Sequence, residues 1–345
     1  MRIIFAILAI GKSDWLISND TECSQDVYTA SLSLTSCSPG QFTCSDGLCV
    51  ELTARCDGKT DCGDTSDELH CRVVALHSSY NKFLSPPPHN AGSGNTKVLV
   101  FSSVRIHSMA SFDPVESSYE SKFSVLLKWY DPRLHYINLR SPPHINTLGP
   151  EEMQSIWVPS FTFENTNNKL NSLLDEKARV FVAKNGSGVL SSIEDTENEF
   201  LYDGDSNYIE YHRFYSQILE CHFDLKWYPF DFQSCNVDIK PTSDLTDFIK
   251  LSPDEFFYEG PMDLTEYSIK KLQMKTEGDE VLRVEVVIRR RLLSLILTTF
   301  LPTILLNIIG HMSNYFKEFF FEGLMSLNVT VMLVLTTLFL RSLLK

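Results

Sequence analysis

Cys221 and Cys235 enclose thirteen residues, H-F-D-L-K-W-Y-P-F-D-F-Q-S, and this short apolar loop restricts what the surrounding chain can be. A disulfide closing a loop of that size stabilises by roughly 3 kcal/mol, mainly through the unfolded state. Within it Tyr228, Pro229, Phe230 and Asp231 set a proline-centred turn between aromatic residues, with one carboxylate expected to point outward from an apolar knob. A stapled loop of this kind belongs to an oxidising compartment.

The remainder of the chain fits that compartment. Arg2, the apolar run 3–10 and the small-x-small triplet Ala9-Ile10-Gly11 predict a secretory leader over residues 1–11, cleaved before Lys12. The chain has 345 residues, of which 43% are hydrophobic, giving room for two or three domains with some membrane content. Residues 289–345 hold six Lys/Arg against Glu318 and Glu322, a net charge of +4; with −14 for the whole chain, residues 1–288 carry −18. An acidic body of that size argues against nucleic acid and suits cations.

After a linker over 12–36, Cys37, Cys44, Cys49, Cys56, Cys62 and Cys71 fall too densely for a hydrophobic core, so covalent staples must hold this segment. Its last part, C-D-G-K-T-D-C-G-D-T-S-D-E, sets five carboxylates within residues 57–68, a density that a hard dication would hold in place. Spacing and acidic run together resemble a low-density lipoprotein receptor class A module over residues 37–71. The resemblance implies bridges Cys37–Cys49, Cys44–Cys62 and Cys56–Cys71. It also implies calcium held by the side chains of Asp57, Asp61, Asp67 and Glu68 and the carbonyls of Ala54 and Lys59. Modules of this family that clamp a partner's lysine usually have an aromatic residue where this chain has Ala54. Cys23 is left over from the pairing.

Residues 72–95 read as a short helix over S-Y-N-K-F-L followed by the linker S-P-P-P-H-N-A-G-S-G-N. Beyond it, alternation takes over. Phe123, Val125, Leu127 and Trp129 share one face, as do Leu282, Val284, Val286 and Ile288, with Asn185-Gly186 and Asp203-Gly204 as turn signals. Many short alternating strands over 96–290 predict a mainly β chain built on a β-sandwich.

The loop at 221–235, with its aromatic-Pro-aromatic-Asp centre, resembles the signature of the Cys-loop receptors, the pentameric ligand-gated ion channels. W-Y-D-P-R-L (129–134) is similar to the family's W-x-D-x-R-L and is read as structural, ring, carboxylate and guanidinium holding a strand end. I-W-V-P-S-F (156–161) resembles its W-x-P-D segment with Ser160 in place of the aspartate, and Y-N-K-F-L-S-P (80–86) its entry helix. The positions that supply an aromatic box in amine receptors hold Ser124, Glu164 and Thr242, and no vicinal cysteine pair lies near 273–280. Phe123, Phe161, Phe163 and Tyr267 are the aromatic residues left to line a different small-molecule agonist pocket, although aromatics on alternating strands are more often core.

Residues 292–310 carry no charge, and 324–344 form a second apolar span broken by small polar groups and Arg341, so 291–345 is expected to cross a bilayer twice. Arg289–Arg291 would favour a cytosolic side by the positive-inside rule, whereas the cysteines place the preceding domain outside. The resemblance resolves the conflict by pairing Arg290 with a carboxylate at the base of the sandwich, for which Asp231 is the candidate. Ser326, Thr330, Leu333 and Thr337 recur at helical spacing. They predict a pore stripe with a leucine constriction, and Glu322 an acidic ring at its mouth that favours cations. In a helix facing lipid the same hydroxyls would bond back to the preceding turn.

The resemblance also implies third and fourth helices that the sequence up to Lys345 does not include, as expected of a truncated gene model or a natural short form. Asn19 and Asn185 are usable glycosylation sites, while Asn328 falls within a span. A serine protease is rejected: Gly204-Asp205-Ser206 is followed by Asn207-Tyr208 where two glycines are required. The reading is therefore a non-enzymatic subunit that assembles with four others at the plasma membrane, N-terminus outside, in a synapse for instance. It opens a pore to permeant ions on binding agonist. The competing reading is a truncated, non-conducting subunit or decoy that captures ligand.

Overall fold

A computed structural model describes residues 10–18, 27–89, 96–166, 178–191, 199–278, 281–313, 315 and 321–343. Strands β1 (Gly11–Ser18) and β2 (Val27–Leu34) pair antiparallel, with Gly11 opposite Leu34, so the expected linker over 12–36 contains a hairpin. Gly11 is the first residue of this hairpin. Its φ is +110°, and a Cβ there would lie 2.2 Å from the Ser45 carbonyl, which accepts the Lys12 amide at 3.2 Å. Asn19 and Cys23 lie outside the described residues.

The cysteine-rich segment folds around β3 (Gln41–Thr43) and β4 (Cys49–Glu51), with 3-10 turns at Leu52–Ala54 and Ser66–Glu68. Its buried apolar set is Phe42, Cys44, Leu52 and Cys62. A core that small leaves stability to the bridges. They join Cys37 to Cys49, Cys44 to Cys62 and Cys56 to Cys71, the pairing that the resemblance implies.

β5 (Val74–Ala75) follows, and then turns where a short helix is expected at 79–84. Side chains explain the difference. Asn81 Oδ1 accepts the Phe83 amide at 2.9 Å and His77 Nδ1 accepts that of Ser79 at 3.3 Å, local bonds that compete with a helical ladder.

The sandwich comprises β6 (Val98–Asp113), β7 (Ser118–Trp129), β8 (His135–Ile137), the short helix α1 (Pro150–Ser155), β9 (Phe161–Phe163), β10 (Arg179–Val182), β11 (Val189–Leu190), β12 (Phe200–Asp203), β13 (Ile209–Glu220), β14 (Phe232–Pro241), β15 (Ile249–Tyr258), β16 (Tyr267–Glu277) and β17 (Val281–Arg290). One sheet runs β10-β13-β7-β6-β15 and faces a second, β16-β17-β14-β9; a third, small sheet runs β11-β12-β8-β5. The alternation expected on β7 and β17 is realised: Phe123, Val125, Leu127, Trp129, Leu282, Val284, Val286 and Ile288 are all fully buried in one core. The W-Y-D-P-R-L end of β7 is clamped. Asp131 is buried and takes Arg133 Nε at 2.8 Å and Nη2 at 2.7 Å, while the Tyr80 hydroxyl donates to Asp131 Oδ2 and accepts the Trp157 amide. Arg133 Nη1 reaches the Leu84 carbonyl, which fastens the entry segment to the strand end.

After β17 the chain becomes helical: α2 (Leu292–Leu295), a π-helical turn Ile296–Phe300, α3 (Leu301–Ser313) and α4 (Phe321–Leu343). Pro302 has no amide hydrogen for the Thr298 carbonyl, and its ring crowds that carbonyl, which favours a widened turn just before it. Residues 292–310, expected as one span, are thus helical throughout with a π turn before Pro302. Among the described residues no helix is long and apolar enough to cross a membrane.

Candidate ligand groove, coupling loop and acidic module

The outward faces of four strands meet in register on the five-stranded sheet. Ser124 on β7 stands between Arg105 on β6 and Phe214 on β13, with Phe257 on β15 beside Arg105; one row on, Leu126 stands between Ser103 and His212. Between these rows lies a groove of about 240 Å³, which Phe181 on β10 and Glu210 close at one side. Its lining combines charge with rings. His107 Nε2 meets Ser124 Oγ at 3.1 Å, its Nδ1 meets Glu259 Oε2 at 2.7 Å, and Arg105 Nη1 donates to Glu259 Oε1 at 3.1 Å. Phe214 lies against the rings of His107 and His212, and the Arg105 guanidinium sits over Phe257 at 5.0 Å. The hydrogen bond from His107, and then the charges of His107 and Arg105, hold the Glu259 carboxyl below its ordinary range. Burial pushes that of Glu210 up, against the pull of Lys128. Such a surface offers cationic donors and ring faces to a small polar ligand.

This groove contains none of Phe123, Phe161, Phe163 and Tyr267. Phe123, Phe163 and Tyr267 are buried in the sandwich core and Phe161 packs against it, with Phe123 edge-on to Phe163 at 5.3 Å. Their alternation faces the opposing sheet, so they hold the layers together rather than lining a pocket. Arg105, His107 and His212 line the groove instead. Their only signal in the sequence is a charged outward face alternating with Val104 and Ile106, and the strand register that unites them is not a local property.

At the 221–235 loop the disulfide closes with Cα atoms 5.0 Å apart. Asp231 does not point outward. It is 2% exposed and accepts Arg290 Nε at 3.0 Å, Arg290 Nη2 at 3.3 Å and Gln233 Nε2 at 2.6 Å. The outward knob is aromatic instead: Trp227, Tyr228, Phe230 and Phe232 are exposed. Tyr228 and Tyr267 sandwich the Arg290 guanidinium at 5.0 and 4.8 Å. Burial raises the Asp231 pKa, but the hydrogen bonds from Arg290 and Gln233, with the charge of Arg290, outweigh it and hold the carboxyl below its ordinary value.

In the module, Glu68 Oε1 accepts the amides of Asp57 and Gly58, Asp57 Oδ1 that of Lys59, and Asp67 Oδ2 that of Asp61. Asp57, Asp61, Asp67 and Glu68 are not drawn into one tight cluster. The group whose candidate ligand atoms lie within 4.8 Å of one another is Cys44, Cys62 and Asp64, and both sulfurs there are spent in a disulfide. Asp67 nevertheless is fully buried with its Oδ1 lacking any hydrogen-bond partner. A buried carboxylate oxygen without a donor is costly, and a hard cation satisfies it. On that ground the oxygen-rich donor set fits calcium.

On α4, Glu322, Ser326, Thr330, Leu333 and Thr337 are all exposed in the single chain. The Thr330 hydroxyl donates to the Ser326 carbonyl at 2.7 Å and that of Thr337 to Val334 at 2.8 Å. Asn185 is exposed in a turn whose amide is held by Asn207 Oδ1 at 2.9 Å.

The fold is thus a two-sheet sandwich stapled at one end by a disulfide, with an added disulfide-rich module. The chain belongs to the neurotransmitter-gated ion-channel ligand binding domain family, which it matches over residues 72–291, more than half its length. Residues 35–71 match the low-density lipoprotein receptor domain class A. The chain is similar to the glutamate-gated chloride channel subunit beta of Haemonchus contortus, 23% identical over 278 residues, 76% of this chain and 60% of that protein. The chain therefore spans less than two thirds of that relative. Across the module alone it resembles transmembrane protease serine 7 of Mus musculus, 58% identical over 52 residues, 15% of this chain and 6% of that one. It likewise resembles the atrial natriuretic peptide-converting enzyme of Homo sapiens, 39% identical over 75 residues, 19% of this chain and 7% of that one. The protease likeness is thus confined to a shared accessory module, and the family that covers the sandwich is one of ligand-gated channels, not enzymes.

Proposed function

We propose that the chain is a subunit of a pentameric, agonist-gated ion channel at the plasma membrane, and that its agonist is a small carboxylate bound at the groove of Arg105, His107 and His212. The observation that carries the ligand class is the row Phe257–Arg105–Ser124–Phe214, which presents a guanidinium and a hydroxyl between rings. The name of the Haemonchus relative, glutamate-gated, agrees with it. Arg105 would take the carboxylate in a two-pronged hydrogen bond, displacing Glu259.

In this reading 292–313 and α4 are membrane helices, which accounts for the apolar side chains they expose, among them Leu293, Ile304, Ile308, Val329 and Met332. The stripe of Ser326, Thr330, Leu333 and Thr337 lines the pore, and Asn19 and Asn185 are glycosylated outside. Glu322 then favours cations, in contrast with the chloride channel the chain resembles. Calcium, held by Asp57, Asp61, Asp67 and Glu68 with the carbonyls of Ala54 and Lys59, supplies the countercharge that orders the module.

The test is current recorded from cells expressing the chain, alone or with other family subunits, during application of glutamate and related small carboxylates. Evoked current that needs a higher agonist concentration after Arg105→Ala is the expected result. Surface-expressed chain that binds glutamate without any current would select the second reading, a non-conducting binding protein.

A further inference from the structure

Arg140 belongs to the sandwich, in the segment between β8 and α1, but its side chain reaches into the module. Its Nη2 donates to the Leu52 carbonyl at 3.1 Å and, in a short contact, to the Arg55 carbonyl. These two carbonyls flank Ala54. Asp57 and Glu68 are close enough for their charges to act on the guanidinium. Asp57, Glu68 and Cys71 face Asn138, His144 and Asn146 across a cleft of about 460 Å³ between module and sandwich.

Arg140 is itself anchored. Asn146, 2% exposed, accepts the Arg140 amide at 2.8 Å and donates to the Arg140 carbonyl at 2.9 Å and the Val182 carbonyl at 2.8 Å. Thr147 bridges to Phe181 and the Leu148 amide bonds the Val180 carbonyl, so this segment is stitched to β10. β10 in turn pairs Phe181 with Glu210, both at the groove. A second contact is apolar: Leu190 and Phe200 pack on the module's Phe42 and Leu52 cluster.

We propose that the module is a regulatory element docked in cis on the sandwich, with Arg140 as the positioning residue that transmits divalent-cation occupancy of its acidic loop to β10 and the ligand groove. The proposal rests on the calcium reading of the module. Ordering the turn at 52–57 fixes the carbonyls that Arg140 holds, and through Asn146 the segment 138–148 follows. Both bonds leave one nitrogen, Nη2, fixed in the guanidinium plane one bond farther from the backbone than a lysine ammonium, so charge alone does not make the link.

The experiment is hydrogen exchange by mass spectrometry on the full chain, in excess calcium and in chelator, with terbium luminescence as an independent measure of cation binding. In the wild type, calcium slows exchange at 52–58 and also at 138–148 and 179–182, by about fivefold or more, the low end of coupling between linked sites. In Arg140→Met the response at 52–58 persists and that at 138–148 and 179–182 is lost. Arg140→Lys, which keeps the charge and the stem, gives the same loss should the Met variant fold poorly. Cation binding with protection confined to the module, or a sandwich response that survives both variants, overturns the proposal and leaves the calcium reading standing. Absence of terbium and calcium binding overturns both.

Discussion

Asp231→Ala tests the base of the sandwich most directly. The substitution removes the acceptor of both Arg290 bonds, at 3.0 and 3.3 Å, and leaves a guanidinium that is only 9% exposed facing Tyr228 and Tyr267. Breaking a buried pair by deleting one partner costs about 3–5 kcal/mol, because the survivor keeps its desolvation penalty. The two rings still attract the cation, which places the loss near the lower end, about 3 kcal/mol. Native-state hydrogen exchange at 232–235 and 286–290 reads this as roughly hundredfold faster local opening, since every 1.4 kcal/mol is tenfold. Asp231→Leu combined with Arg290→Met replaces the pair by apolar groups and recovers most of the loss. The pH dependence has a definite sign. A carboxyl held below its ordinary value contributes stability that is fully present above the unfolded aspartate pKa of about 3.9. That contribution is lost as pH falls through the depressed folded value. Trp227 fluorescence, from a ring on the same loop, follows that loss. Wild-type exchange rates in Asp231→Ala, or single effects that simply add in the double variant, would refute the reasoning.

Four other outcomes are expected. Gly204→Ala puts a Cβ 2.0 Å from the Asp131 carbonyl oxygen and 2.8 Å from that of Leu134, both backbone atoms, so thermal unfolding should show a loss of about 1–3 kcal/mol. Refolding of the reduced chain in calcium should give the Cys37–Cys49, Cys44–Cys62 and Cys56–Cys71 bridges, and in chelator a mixture of isomers; peptide mapping of the bridges distinguishes them. In a conducting assembly, Leu333→Ser should raise resting current by easing the wetting of the constriction, and Glu322→Arg should shift the reversal potential toward that of anions.

What the sequence made legible was local or covalent. The alternation at 123–129 and 282–288 named the core faces because a half-buried strand repeats every two residues, and cysteine spacing framed the module. Phe123 was legible too: it shares a stripe with Val125, Leu127 and Trp129, and that stripe is the core. The groove was not, because Arg105, Ser124 and Phe214 become neighbours only through the register of three strands spread over more than a hundred residues. Arg290, 59 residues further along the chain, is the partner that the resemblance gives Asp231; only the outward direction suggested by its turn is corrected, because that pairing buries the carboxylate. The helix expected at 79–84 gave way to bonds made by single side chains, Asn81 and His77, which hydrophobic period does not register.

One strand connects the two ends of the proposed mechanism. β13 carries Glu210, His212 and Phe214 at the groove and finishes at Glu220, directly before Cys221. Cys221 lies seven positions beyond Phe214, about 23 Å of extended chain at roughly 3.3 Å per residue. The strand is paired along its whole length to β7, so displacement at the groove moves its far end rather than being absorbed by bending. From Cys221 the disulfide passes into Cys235 on β14, in the other sheet, opposite Val286 on β17. Asp231, inside the same closed loop, grips Arg290, the last residue of β17 before the helices begin. A covalent bridge and a buried ion pair therefore join the sheet that carries the groove to the start of the helical segment. Neither is replaceable by a flexible contact, since a loop held at only one of its two ends would move with one sheet and leave Arg290 where it was.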